Sequence, residues 1–576
     1  MILRPVLLLV ASAPVVLSLN ILIFLLGTQQ SERANMEMLA QSLALRHHTV
    51  VSVKPILIPE EPRLVKPKLH MVREKTMKNL LPRTMYRPLE EVYNGGPWRV
   101  KYDYDEYMEP YYAAHNYSCG RILNSDLMDG LAKDKIDVAI VYNGNPCQLA
   151  LCHVLGIPVM YYDTDGLTDE TLVAAGAPAS LAFPLSHCRI AAQFSNPLMV
   201  KAASSLCILN ELVAQSGIAS LASLVSKRFR LMDGPITRMF AEDYTLKKRF
   251  SSFPDVNTLK QSAAMYLANT DPLLEWERPL PSHVFPVGGM HIDLPKPLFS
   301  PWSDAVEASE QGTIVVSFGT HINGSAMSAT QASAIYGALS ALTGYRVMWS
   351  VGPSIALPGI SAEKTLPHIN ITAFLPQNDI LADKKTRLLI TNGGMNSLME
   401  AVAHGVPVVG IPLYGSNQAN LEKVAHKGLG VIVTKGELSQ TTLLKAIKTV
   451  LEGSKYKATA KDMAREFKAR QQKSSVFERL VHIIEHVGKH RGAAFFRPQE
   501  RPVSRFLSLP LEVLAFLVVI FGAPLFLAYV ITAKTIGFLV RGFKSSVPAP
   551  SPPAAPKASK TPTLPPKELT KAKKTN

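Results

Sequence analysis

Apolar and polar positions alternate along this chain in blocks that read as strands followed by helices. In the first half, residues 20–26 (NILIFLL) form a short apolar run suited to a buried strand, and EMLAQSLALRHH after it carries a helical period. Residues 136–160 (IDVAIVYNGNPCQLALCHVLGIPVM) repeat the order strand, helix, strand. The stretch between 163 and 255 is less decipherable, and residues 285–289 (FPVGG) mark a linker. A second alternation starts at 313 (TIVVSF) and continues through 345–349, 388–391, 406–411 and 431–433. Strands alternating with helices predict an α/β chain with two parallel sheets, each covered on both faces. Neither an internal repeat nor a coiled-coil heptad is evident.

The two ends break this pattern. Residues 1–18 (MILRPVLLLVASAPVVLS) combine one positive charge, an apolar run and small residues before a plausible cut, which reads as a signal peptide. Residues 513–533 (VLAFLVVIFGAPLFLAYVITA) carry no charge and are about long enough to cross a bilayer, with Pro524 near the middle. After them, Lys534, Arg541, Lys544, Lys557, Lys560, Lys567, Lys571, Lys573 and Lys574 face one acid, Glu568. Nine bases less one acid give +8, half of the chain's +16, so the basic character lies in a tail and does not point to a nucleic-acid surface. That asymmetry places the tail in the cytosol and makes the protein a single-pass type I membrane protein with a luminal body. The tail is rich in Pro, Ala and Ser, which predicts an extended linker. It ends in Lys573-Lys574-Thr575-Asn576, similar to a dilysine endoplasmic-reticulum retrieval signal.

The expected boundaries are a signal peptide at 1–18, a first Rossmann-like domain at 19–286, a second at 287–495, a juxtamembrane stretch at 496–512, a membrane helix at 513–533 and the tail at 534–576. A luminal body fits Asn-x-Ser/Thr triplets at Asn116 and Asn323; a third, at Asn370, lies on an expected strand end and is the least suited to carry sugar. Five cysteines, Cys119, Cys147, Cys152, Cys188 and Cys207, all fall in the first half without metal-ligand spacing, so no metal is expected. At least one of them cannot pair within the chain.

The candidate chemistry concentrates in residues 374–421 (FLPQNDILADKKTRLLITNGGMNSLMEAVAHGVPVVGIPLYGSNQANL). Here a strand at 388–391 meets Asn392-Gly393-Gly394 and then a helical pattern, with Asn396 or Ser397 to cap the helix and Gly405 to end it. Paired glycines before a helix start let backbone N–H groups approach a bound diphosphate closely. Taken alone, the same turn also suits an ordinary βαβ unit.

This block resembles the donor-site signature of the UDP-glycosyltransferases, especially the membrane-bound UDP-glucuronosyltransferases of animals. Residues 267–291 (LANTDPLLEWERPLPSHVFPVGGMH) and 315–320 (VVSFGT) resemble further segments of that family. The resemblance implies a GT-B fold, two Rossmann-like domains facing across a cleft, with the first domain binding the acceptor and the second the UDP-sugar. It also implies that a helix near 473–489 crosses back to the first domain. Phe374 matches an aromatic that stacks on uracil, Gln377 a glutamine contacting base or ribose, and Glu400 an acceptor for the ribose hydroxyls. Ser317, Gly319, Thr320, Gly394, Asn396 and Ser397 match the surroundings of the diphosphate. Asn392 stands where the family usually has His, and Asn417-Gln418 where it usually has Asp-Gln.

In the same family the acceptor hydroxyl is deprotonated by a His after the first strand, oriented by an Asp at the end of a later strand. Those places read Glu32 and Tyr142 here. Loss of a general base costs on the order of 10²- to 10⁴-fold in rate. The expected function is an inverting, metal-independent transfer of glucuronic acid or glucose from a UDP-sugar, which is co-substrate and not cofactor, to a small lipophilic acceptor in the endoplasmic-reticulum membrane. The alternative is a UDP-sugar-binding pseudoenzyme or scaffold with little or no turnover. A homo-oligomer is compatible with either.

Overall fold

The computed structural model describes residues 18–25, 30–59, 71–100, 107–177, 180–183, 185, 188, 196–216, 218–320, 322–352, 354–361, 365–497 and 509–545. The expected signal peptide, apart from Ser18, and the tail beyond Ser545 lie outside the described residues.

Within the compact body the strands form two sheets, parallel throughout. The first contains β1 (Asn20–Phe24), β2 (Thr49–Pro55), β3 (Arg73–Met77), β4 (Val138–Tyr142), β5 (Val159–Asp163), β6 (Met265–Ala268) and β7 (Val284–Pro286), in the order β3-β2-β1-β4-β5-β6-β7. The second contains β8 (Gly312–Ser317), β9 (Tyr345–Ser350), β10 (Ile369–Thr372), β11 (Thr386–Thr391), β12 (Val408–Gly410) and β13 (Gly430–Ile432), in the order β10-β9-β8-β11-β12-β13. Both orders are doubly wound. The strand sequence reverses direction between β1 and β4 in one sheet and between β8 and β11 in the other, and ligands bind at such switch points.

Burial on both faces explains why the strands read as unbroken apolar runs. Leu22 and Phe24 enter one core, while Ile21 and Ile23 enter the core on the opposite face. In the second sheet, Ile314 and Val316 likewise separate from Val315. The helix Val476–His490 lays Val476, Leu480, Val481, Ile484 and Val487 into the core beneath β1 and β4, so the chain does return to its first domain. Gly488 permits that approach, because a Cβ there would stand 2.7 Å from Leu19 Cδ1. His48 secures it, taking the Leu19 N–H on Nδ1 and meeting Glu485 Oε1 at 3.1 Å through Nε2. In the other direction, Trp98 of the first half is buried in the core of the second sheet, its ring edge against Phe318.

Several elements differ from the sequence expectation. The first helix spans Gln30–Leu45, starting well before the EMLAQS pattern, so Glu32 falls in its first turn; the Glu32 side chain lies outside the described residues. The undeciphered middle is helical, including Pro197–Ala214, Ala219–Val225 and Gly234–Glu242. The cysteines agree with the expectation that at least one stays unpaired: two disulfides form, Cys119–Cys147 and Cys188–Cys207, and Cys152 is a buried free thiol. The C-terminal helix runs Leu511–Ser545 with Pro524 inside it, past the expected end at 533 and through Lys534. Its Leu511–Leu539 stretch is long and apolar enough to cross a membrane, a criterion Pro197–Ala214 also meets.

Candidate donor site

At the switch point of the second sheet, Thr391 at the end of β11 pairs with Ser317 at the end of β8. The two turns after these strands, at Gly319 and at Asn392-Gly393-Gly394, therefore open side by side although they are far apart in sequence. Gly319 and Gly393 both have positive φ, 93° and 91°, a region glycine enters without strain. Gly393 is also required sterically, since a Cβ there would stand 2.5 Å from Leu421 Cγ. A Cβ on Gly394 would meet only Asn392 Oδ1, at 3.5 Å.

The helix after the turn spans Met395–His404 and begins with Gly394 as its cap residue, without a side-chain cap. The expected capping by Asn396 or Ser397 is thus corrected: both lie inside the first turn, and the helix start keeps its N–H groups and positive dipole end free of a capping side chain. Gly405 ends the helix in the left-handed conformation, as its sequence position suggests.

Beside this turn three polar residues meet. Gln377 donates from Nε2 to Ser397 Oγ at 3.0 Å and to Glu400 Oε2 at 2.7 Å. Burial pushes the Glu400 carboxyl up to about 7, against the opposing pull of the Gln377 hydrogen bond. His291 Nε2 stands 3.8 Å from Glu400 Oε1 and donates to the Asn396 carbonyl at 3.2 Å. Burial lowers His291 to about 4, so it is neutral at pH 7 and its contact with Glu400 is not an ion pair. Phe374, on the loop after β10, is 63% exposed and presents its ring to solvent. Thr320 is exposed and Ser317 is buried.

Asn392 is buried and committed to neighbours. Its Oδ1 accepts from Gly394 N at 3.3 Å, and its Nδ2 donates to Asn417 Oδ1, also at 3.3 Å. Asn417 and Gln418 form the first turn of the helix Asn417–His426. Gln418 donates to Glu422 Oε1 at 2.9 Å.

Asn396 joins the two domains. Its Nδ2 donates to Asn35 Oδ1 at 3.0 Å, and its Oδ1 accepts from Asn35 at 3.1 Å and from Asn269 at 2.9 Å. Asn35 lies on the Gln30–Leu45 helix and also donates to the Tyr162 hydroxyl. The contact continues through Asn420 to the Asp165 carbonyl at 3.1 Å and through the buried Lys423–Glu275 ion pair at 2.7 Å. Asn35, Asn269 and His291 were missed by the sequence reading. The last two lie in a segment it singled out, but nothing in their spacing signalled that they would meet Asn396.

On the first sheet, Tyr142 ends β4 at the switch point but is 1% exposed, with its ring edge-on to Tyr162. It is part of the core. Among the described residues no group of three His, Cys, Asp or Glu is placed to hold a metal ion. Asn116 is half-buried on the helix Glu109–Leu123, and Asn323 uses Oδ1 to cap the short turn Gly324–Ala326.

The family model described as UDP-glucoronosyl and UDP-glucosyl transferase matches residues 21–545. The chain belongs to that family. Among its relatives, UDP-glucuronosyltransferase 3A1 from Bos taurus is 31% identical over 304 residues, 52% of this chain and 56% of its own length, so the match spans little more than half of that relative. The 2-hydroxyacylsphingosine 1-beta-galactosyltransferase of Homo sapiens is 28% identical over 73% of this chain and 71% of its own. UDP-glucuronosyltransferase 2B15 of Homo sapiens is 27% identical over 87% and 90%. Similar folds occur in Os79 from O. sativa in complex with UDP, with a TM-score of 0.52, 16% identity and coverage of 82% of this chain and all of that one. Phytolacca americana UGT2, complexed with UDP-2fluoro-glucose and pterostilbene, has a TM-score of 0.54 at 14% identity, covering 82% of this chain and all of that one. At such identities these structures speak for the shared GT-B fold alone.

Proposed function

We propose that the protein binds a UDP-sugar at the turn after β11 and transfers glucuronic acid or glucose, with inversion, to a small lipophilic acceptor at the endoplasmic-reticulum membrane. The observation that carries this reading is the Gln377–Ser397–Glu400 cluster beside the uncapped start of the Met395–His404 helix, at the switch point of the second sheet. A diphosphate there meets free N–H groups and a helix dipole, Glu400 faces the ribose hydroxyls, and the exposed Phe374 ring gives uracil a surface to stack on. The acceptor hydroxyl gives its proton to a base, the role Glu32 would take, as its oxygen attacks the anomeric carbon in line and UDP leaves, without a metal. Glycosyltransferases with UDP-glucuronosyl and galactosyl chemistry among the relatives support sugar transfer as the reaction class. The apolar Leu511–Leu539 stretch supports the membrane anchor, and the basic residues that follow it in the sequence support a luminal body and a cytosolic tail.

A second reading, a UDP-sugar-binding pseudoenzyme, is favoured by two positions. Asn392 supplies an amide where charge builds on the leaving UDP, and that amide is already bonded to Asn417. Tyr142, in the place of the orienting acid, is buried in the core. Calorimetry of the detergent-solubilised full chain with UDP-glucose and UDP-glucuronic acid, beside product formation on a panel of phenols, separates the readings. We expect binding with slow turnover that falls further in Glu32→Ala. Binding without product, unchanged by Glu32→Ala, overturns the enzyme; absence of binding overturns both readings.

A further inference from the structure

The helix Val476–His490, which returns the chain to its first domain, carries a stripe that the donor site does not use. His482, His486 and His490 stand four residues apart along it, so all three fall on one face. His482 and His490 are exposed, and His486 is half-buried. The imidazoles of His486 and His490 meet with centroids 4.6 Å apart, tilted by 42°, and Phe496 meets the His486 ring edge-to-face at 5.1 Å. His486 Nε2 is shut off from solvent and has no hydrogen-bond partner among the described residues. A buried polar atom without a partner calls for a physical reason, and a bound ion is one.

Two imidazoles at i and i+4 on a helix form a chelating pair. A tetrahedral zinc ion with bonds of about 2.0–2.1 Å holds two ligand nitrogens about 3.3 Å apart, a spacing that small side-chain rotations bring within reach of rings this close. Imidazole nitrogen selects zinc, copper or nickel over magnesium and calcium, which take oxygen. Glu485, between His482 and His486 in sequence, adds no oxygen ligand, because His48 Nε2 holds it at 3.1 Å. No third His, Cys, Asp or Glu among the described residues completes the set, so water fills the remaining positions. The pair also sits in the last turn, where the helix ends at Arg491 in the left-handed conformation, and the negative end of a helix dipole favours a cation. Lys489 lies next to His490 but is exposed, so solvent screens its charge.

We propose that His486 and His490 form a site for a divalent transition cation, zinc foremost, which staples the last turn of this helix. The ring contact puts the ion between these two, and not between the equally spaced His482 and His486. An ion that binds only the folded chain stabilises it by mass action, here at the helix that the first domain takes from the end of the second. It takes no part in sugar transfer, and the inference stands independently of the donor reading.

The test titrates Zn²⁺ into the detergent-solubilised full chain, prepared without a polyhistidine tag, with a chromophoric chelator reporting the free ion. Affinity at the tightest site should fall by about tenfold or more in His486→Ala and in His490→Ala, and stay within about twofold of wild type in His482→Ala. Zn²⁺ should raise the unfolding temperature of the wild type and not that of His490→Ala. Loaded with Cu²⁺ instead, the wild type should show two coordinated imidazoles by electron spin-echo envelope modulation, and His490→Ala one. If His486→Ala does not unfold cooperatively, His490→Ala, at an exposed position, decides. A zinc affinity unmoved by both variants would mean an adventitious ion only and overturns the proposal. A loss that follows His482→Ala, a single imidazole in the wild-type copper spectrum, or no binding overturns it equally.

Discussion

Glu400 is a carboxyl that folding holds close to neutrality, and that gives the candidate donor site a pH signature. Its folded value, about 7, lies above the ordinary 4.5, so the folded state binds the proton more tightly than the unfolded chain. The sign comes from linkage: the stability contributed by protonated Glu400 is complete below about pH 4.5 and is lost as pH rises through about 7. Glu400→Gln, which keeps the shape and cannot ionise, should therefore gain thermal stability relative to wild type between about pH 5 and 8. Thermal unfolding curves across that range check it, and a pH-independent difference contradicts it. Gly393→Ala tests the turn itself. The substitution forces a positive φ on a side chain and drives Cβ toward Leu421, costing about 1–3 kcal/mol in chemical denaturation and weakening UDP binding. Residue identity in this turn was legible in the sequence because glycines before a helix have a backbone reason to be there. The partners of Asn392, Asn396 and Tyr142 were not, because an amide or phenol reveals nothing in sequence about which distant chain it will meet.

Among the elements, the Asn417–His426 helix packs its amino end under the Gly393 turn and its middle against the segment after β6. Lys423 on that helix and Glu275 on that segment form an ion pair with both side chains 6% exposed. Removing one member leaves an unpaired buried charge, so Lys423→Met should cost about 3–5 kcal/mol in urea unfolding, and Lys423→Met with Glu275→Leu should regain most of it. A double variant as unstable as the single one would show that the pair itself, and not the orphaned charge, provides the stability. The strands of both sheets were legible because each is buried on both faces and reads as an apolar run. The helices between β5 and β6 were not. That region is organised around charges, Arg228 and Lys260 with Glu170 and Asp233, which pair across long sequence separations and erase the apolar period that marks a surface helix.

For the whole molecule, the apolar helix and the body make separate demands. Deleting residues 513–576 should convert a membrane-bound protein into one that is released by carbonate extraction and secreted in soluble form. Retention in the pellet would point to a second membrane contact, for which Pro197–Ala214 is the other long apolar helix among the described residues. The order of two α/β halves and an apolar span was legible from pattern alone, whereas their interlocking was not, because it depends on single side chains. Trp98 is the plainest case of that interlocking. Its indole donates to the Asn323 carbonyl at 3.0 Å, its own carbonyl accepts from Gln331 at 2.7 Å, and the carbonyls of Pro97 and Arg99 on either side accept from Lys435 at 2.8 Å. The second half thus borrows its own core plug from the first, while the first borrows the Val476–His490 helix from the second. A chimera cut at the linker between β7 and β8 would swap neither loan. To exchange donor halves between relatives, residues 97–99 must travel with the incoming half and residues 476–490 must stay behind with the resident one.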